Sequence, residues 1–402
     1  MTDNSGGVGD DPTSIVLKNW RGGEQLRRGS AHGLVAAKER LTLGDTDAAT
    51  GSAPDDLAVG GYRHGSWTAE WTHTAPFTEL VASWQVGTPV GTWARVDVQV
   101  REGTAQPTPW FTLARWAYGD DSIRRSSVPG QDCGNATVDV DTLRAAPGRN
   151  FDAHRLRVTL YTRHGQHAPT PAVRGLSVMT SAVPDRTDVP VSTPAGGGPI
   201  LLDVPTYSQQ RHRGHLPEFG GGGAAWCSPT STRMVLDYWG DRVGADALAR
   251  LGPDHPDPQV DHAARHTYDY AYRGTGNWAF NTAYAAHAGF DAYVTRLRDL
   301  TAAERFLADD VPLVLSVSFR PDELDGAGYG TDGHLLVLTG LTRDGNVIVN
   351  DPAGDDGAGH ETVRRYYDRR QFETVWLRTR RHRQDGTPAR GPGGIAYVIR
   401  PA

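Results

Sequence analysis

The sequence holds only two cysteines, Cys133 and Cys227, among its 402 residues. That is too few for the disulfide framework of a small secreted domain or for a cysteine-rich zinc site, so one thiol is free to be chemical. Lysine is equally scarce: Lys18 and Lys38 stand alone and arginine carries the remaining positive charge, which reads as genomic base composition and not as phosphate recognition. With a formal net charge of −6 the chain lacks the basic footprint of a nucleic-acid or anionic-membrane binder, and neither is expected as a partner. Two arginine clusters (Arg364, Arg365, Arg369, Arg370 and Arg378, Arg380, Arg381) are interleaved with acids and read as solvated faces. No apolar run approaches the roughly 20 residues that span a bilayer. Residues 1–11 lack a basic n-region and an apolar h-region, so no secretory signal is legible. The cytoplasm is the default compartment, or an extracytoplasmic one if an export signal is missing.

What is present suits a soluble globular protein, with 38% hydrophobic and 22% charged residues, long enough for two cores. Between residue 60 and about 182 the chain shows repeated period-2 stretches, near 65–72, 77–84, 93–100, 110–116, 154–162 and 173–180. Ala94, Val96, Val98 and Val100 alternate with Arg95, Asp97, Gln99 and Arg101, the pattern of a half-buried strand. With no comparable helical pattern between them, an all-β sandwich is the economical reading. Residues 187–199, TDVPVSTPAGGGP, have almost no large apolar side chain and read as a linker. Helical signals near 229–238, 278–288 and 302–308 then precede strand signals at 311–319, 334–341 and 346–350, an α+β order. The expected organisation is a disordered 1–14, a β-sandwich over 15–186, a linker over 187–200 and an α+β domain over 201–402. Every candidate catalytic residue lies after residue 200, so that last domain is expected to fold and react without the first.

Cys227 stands in GGGGAAWCSPTST, with Pro229 two residues on. Proline favours the first helical turn, which places the cysteine at a helix N-terminus. There the partial positive charge and free N–H groups lower a thiol pKa and can hold an oxyanion. His334 opens an apolar strand in DGHLLVLTG, and the Asp344-Gly345 turn brings Asp351 of VIVNDPAG onto the neighbouring antiparallel strand. A cysteine nucleophile needs an imidazole, and the imidazole needs an acceptor that fixes its tautomer.

These motifs, with DVPTYSQQ at 203–210 and YRGTGNWAFNTAYAAHAGF at 272–290, resemble the C39-like branch of the papain-like cysteine peptidases over about half of the chain. The resemblance implies a papain-like fold with Cys227 as nucleophile, His334 as general base and then acid, and Asp351 as the orienting residue. It also implies Gln209 as a side-chain oxyanion donor, with Gln210 beside it as the competitor. The stretch around Asn277 and Trp278 resembles a family feature without yielding a role. The β-rich first half looks like an accessory region found beside such domains. No ATPase fingerprint GxxxxGK[ST] occurs, unlike the leader-cleaving domains of peptide exporters. The expectation is a cysteine hydrolase acting on peptide or protein substrates, with no cofactor and no metal. A transamidase on the same fold and a binding protein working through a tryptophan-rich sandwich remain as alternatives.

Other signals carry less. His262 and His266 are four residues apart but lack the glutamate of HExxH and read as a surface or structural pair. Asp351, Asp355 and Asp356 lack calcium-loop spacing. Trp67, Trp71, Trp84, Trp93, Trp110 and Trp116 could line a carbohydrate or peptide platform, with core packing the preferred reading. A Cys133–Cys227 disulfide is disfavoured.

Overall fold

Alternating side chains in the first half put one apolar row on each strand, and two such sheets close over a common core. The computed structural model describes residues 13–44, 49–52, 61–163, 165, 170–251, 255–354 and 362–402. Most of the stretch expected to be disordered, and Asp355 and Asp356, therefore lie outside the described residues. Ser14 already opens a strand, Ser14–Arg21.

Among the described residues the first half forms two seven-stranded antiparallel sheets. One runs through Ala136–Asp139, Thr142–Ala145, Glu79–Gly87 and Ala172–Ala182, with Ser14–Arg21 on the last of these. The other centres on Phe111–Trp116, Thr92–Arg101, Phe151–Arg163 and Gly61–Thr68. Ala94, Val96, Val98 and Val100 share one buried cluster with Leu80, Val86 and Val178 of the facing sheet. Trp67, Trp84, Trp93 and Trp116 are fully buried. The outer row is not simply solvated. Asp97 is buried beneath the Arg95 and Arg157 guanidiniums, and Arg155 lies over both Trp71 and Trp110. The strands Leu34–Ala37 and Arg40–Leu43 carry no periodic signal because each is only four residues long.

The second half packs helices against a third antiparallel sheet, ordered Phe290–Arg296, Ile395–Pro401, Leu313–Phe319, Thr331–Leu341, Val347–Asn350, Arg364–Tyr367. Its apolar core contains Met234 and Val235 of the helix Cys227–Tyr238, together with Leu315, Leu336 and Val398 from three strands. The Asp344-Gly345 turn is as expected, with Gly345 at φ +79° and Val337 paired with Asn350 across it. Strands and helices interleave more than expected, since the first strand precedes the helix Leu300–Ala308 and the helix Arg369–Leu377 precedes the last strand.

The two halves are joined over a broad contact. Phe280 of the helix Trp278–His287 is fully buried, with its ring 6.1 Å from Trp84 and 5.5 Å from Trp116. Arg125, fully buried, donates to the Arg265 carbonyl at 2.6 Å and to the Tyr268 carbonyl at 3.3 Å. The Ser127 N–H meets both carboxylate oxygens of Asp269 at 3.1 Å. Tyr118 stacks on His266 and His287, and His262 bonds Tyr284, so the histidine pair is structural.

The linker is strapped down. Arg369 donates to the Ser192 carbonyl and hydroxyl, and Glu373 accepts from the Ser192 N–H and hydroxyl. Arg369, Arg378 and Arg381 are thus buried and paired, with Glu304, Glu323 and Asp332 respectively. Reading those clusters as solvated faces is corrected at these three positions, because arginine alone offers several donors in a fixed fork to partners on different loops.

Candidate active site

Residues Gly220 to Gly223 all have positive φ, and the loop they form folds over His212. A Cβ on Gly222 would lie 1.8 Å from the His212 carbonyl oxygen, so that approach requires glycine. Trp226, pinned by an indole bond to the Phe219 carbonyl at 2.8 Å, starts the helix that opens at Cys227 with Pro229 in its first turn. Cys227 and Cys133 are both free thiols, so the disulfide is absent.

The third sheet brings the other two residues to that helix end. His334 Nε2 lies 2.8 Å from Asp351 Oδ1, both side chains being buried. With Nε2 so occupied, Nδ1 is the nitrogen left for the Cys227 thiol, and the thiol and ring are close enough for each to shift the other's pKa. Asn350, next to Asp351, points away and donates to the Val204 and Pro205 carbonyls. Asp351 is itself held by Tyr329 at 2.9 Å, Tyr367 at 3.1 Å and the Ala353 N–H at 2.9 Å. Those two tyrosines were not found in the sequence, since single tyrosines in a loop and a short strand carry no signal.

Electrostatics favour charge separation. Burial alone would push the His334 imidazolium down, but the Asp351 carboxylate and Cys227 overcome it and raise its pKa to about 10. Burial likewise pushes the Cys227 thiol up, and the hydrogen bond and charge of His334, with the backbone at Leu335 and Ser228, bring it below its ordinary value. Asp351 is lowered because its hydrogen bonds and the His334 charge outweigh burial. Both shifts favour the thiolate beside the imidazolium.

Gln209 begins a short 3-10 turn, Gln209–His212, whose backbone is tied to the Pro352 carbonyl at 2.9 Å. Its side chain is buried and its Oε1 finds no partner among the described residues. Gln210 instead accepts from Arg213. Next to this turn, His212, His215 and His255 direct Nδ1 at the buried Asp261 carboxylate at 2.8, 3.1 and 3.0 Å. Ligand atoms of His212, His215 and Asp261 lie within 4.8 Å of one another, a spacing that could hold a cation, although each pair is already satisfied by hydrogen bonding.

The Asn277–Trp278 segment acquires a role. Asn277 caps the helix Trp278–His287 through Phe280 N and ties back to Asp269. The Trp278 N–H is held at 2.7 Å by Asp141 of the first half, a carboxyl that burial pushes up to about 7 against its hydrogen bonds. The segment is one of the places where the first half meets the second.

The family described as Peptidase_C39 like family matches residues 201–383, and the Peptidase C39 N-terminal domain matches residues 16–181. The C-terminal half of the chain therefore belongs to the C39-like peptidase family. Among solved structures, a candidate C39-like peptidase from Bacillus anthracis aligns with 51% of this chain and 99% of its own, at 19% identity and a TM-score of 0.30. No curated protein matches the chain.

Proposed function

We propose that the protein is a cysteine hydrolase of peptide or amide bonds, working through a covalent thioester on a papain-like α+β domain. The observation that carries this reading is the buried line from the Cys227 thiol through the His334 ring to Asp351. The charge-separated thiolate attacks the substrate carbonyl carbon, forming the C–S bond and moving the carbonyl electron pair onto oxygen. The Cys227 N–H at the helix end and the Gln209 amide stabilise that oxyanion. His334 then gives its proton to the departing amine nitrogen as the C–N bond breaks, leaving a thioester and a neutral imidazole. Water, losing a proton to His334, attacks the thioester; the acid leaves and the thiolate–imidazolium pair is restored. Asp351, fixed by two tyrosines, holds the ring throughout.

The test is incubation of the whole chain with a peptide library, with cleavage read by mass spectrometry beside the Cys227→Ala and His334→Ala variants. Cleavage products that vanish in both variants support the reading. Products that persist in both, or a transfer product formed only with an added amine, count against hydrolysis at this site.

A further inference from the structure

Between the two halves runs a groove of about 980 Å³, walled on one side by the turn at residues 145–149 and Glu79 and on the other by the hairpin Arg380–His382 and Pro388–Arg390. Its centre holds an imbalance of charge. Three guanidiniums, of Arg144, Arg296 and Arg390, converge on the single carboxylate of Glu79. Asp139 stands 3.8 Å from Arg144 and is largely exposed, and the other carboxylate lining the groove among the described residues, Asp185, is taken by Arg380. Arg296 is almost wholly buried, its guanidinium also held by the Pro392 and Gly393 carbonyls and its Nε without a partner among the described residues. Arg390, 69% exposed, makes only a 3.5 Å contact with Glu79, which leaves most of its donors facing the groove. Burial first, then crowding by like charges, pushes Arg144 and Arg296 below the ordinary arginine range. So many cations around one acid leave positive charge that a bound anion would neutralise, and guanidiniums suit a carboxylate in a bidentate mode.

The groove wall is also tied to the strand Thr331–Leu341, which carries His334. Arg381, on its wall, grips the Asp332 carboxylate at 2.6 Å and backbone at 2.5 Å, two residues before His334. Trp278, another wall residue, is the position that the Asp141 carboxylate holds. Apolar stretches at Ala145, Ala146, Pro388 and Ala389 lie between the charges, as an extended peptide with apolar and acidic side chains would require. We propose that this interdomain groove binds an acidic segment of the peptide substrate, so that the first half supplies half of the specificity surface. The proposal rests on the hydrolase reading for the word substrate, but the charge argument does not use the thiol.

The test measures fluorescence anisotropy of two labelled peptides of equal length, one glutamate-rich and one with glutamine at the same positions, on the full chain carrying Cys227→Ala. The glutamate peptide should bind about tenfold more tightly or better, with an advantage that shrinks as salt rises. Arg390→Glu, at an exposed position, should remove that advantage, and Arg390→Gln should reduce it, while the glutamine peptide is little affected. Equal binding of the two peptides, or an unchanged preference in Arg390→Glu, would overturn the proposal. So would displacement of both peptides alike by millimolar inorganic phosphate, which would assign the groove to a free anion. Alkylation of Cys227 in chains that keep this cysteine reads the catalytic assignment separately. An unreactive thiol beside an intact acidic preference sinks the hydrolase reading alone, and a reactive thiol without the preference sinks the groove alone.

Discussion

Replacing Phe280 with alanine removes a fully buried ring that touches Trp84 and Trp116 of the other half. A buried Phe→Ala exchange costs about 3–5 kcal/mol once the cavity is included. That is a large part of the roughly 5–15 kcal/mol that stabilises a typical domain. Around it, Arg125 satisfies two carbonyls and Asp141 one helix N–H across the same contact. Leaving such groups buried and unpaired costs about 1–3 kcal/mol each. The halves should therefore unfold as one unit. In urea, tryptophan fluorescence and loss of the fast alkylation of Cys227 at acidic pH should report one coincident transition, moved by Phe280→Ala to lower urea by roughly 1 M or more. Removal of residues 1–190 should leave a second half that aggregates or fails to label, contrary to the independence that the linker composition suggests. A truncated chain that is soluble and labels at the full-length rate would refute the reasoning. So would a Phe280→Ala chain in which Cys227 keeps its fast alkylation after the first-half tryptophans are exposed.

Two further predictions concern the site. Gln209→Ala should lower turnover by about 10²-fold, as loss of an oxyanion donor does, and Gln210→Ala, which loses only a bond to Arg213, should do little; steady-state kinetics on a cleaved peptide would decide, and the reverse ranking would move the oxyanion role by one residue. Asp351→Asn should cost about 3–5 kcal/mol, because it breaks a buried pair. Since the folded His334 pKa is raised from 6.5 to about 10, its share is full below 6.5 and fades as pH rises through about 10. Since that of Asp351 is lowered from 3.8, its share is present above 3.8 and fades as pH falls through the folded value. The stability gap between wild type and variant, measured by urea unfolding across pH, should thus be widest between about 4 and 6.5, and a gap independent of pH would contradict the pairing.

Much of the site was legible because its signals are local. Gly-rich loop, cysteine and proline specify a helix start, and a DG turn puts His334 and Asp351 on adjacent strands whatever surrounds them. In the strands, Ala94 to Val100 declared their buried face by alternation alone. What could not be read was tertiary. The 187–200 stretch has a linker's composition, yet its backbone is gripped by Arg369 and Glu373 from a helix some 180 residues later. Asp141 looks like an ordinary hairpin acid until the fold carries it to Trp278. Tyr329 and Tyr367 become supports for Asp351 only when loop and strand meet there. The buried arginines misled for a related reason, since local charge mixing is the same whether partners lie in solvent or in another loop.

The central claim is the ionised pair of Cys227 and His334, and the most direct measurement is the rate of iodoacetamide alkylation of each cysteine between pH 4 and 11, mapped by mass spectrometry. Cys227 should react as thiolate below the roughly 8.5 at which an ordinary thiol half-ionises, with a second change near pH 10 as His334 loses its proton. In His334→Ala the acidic reactivity should disappear. A Cys227 profile that coincides with that of the denatured chain, or one that His334→Ala leaves unchanged, would contradict the account.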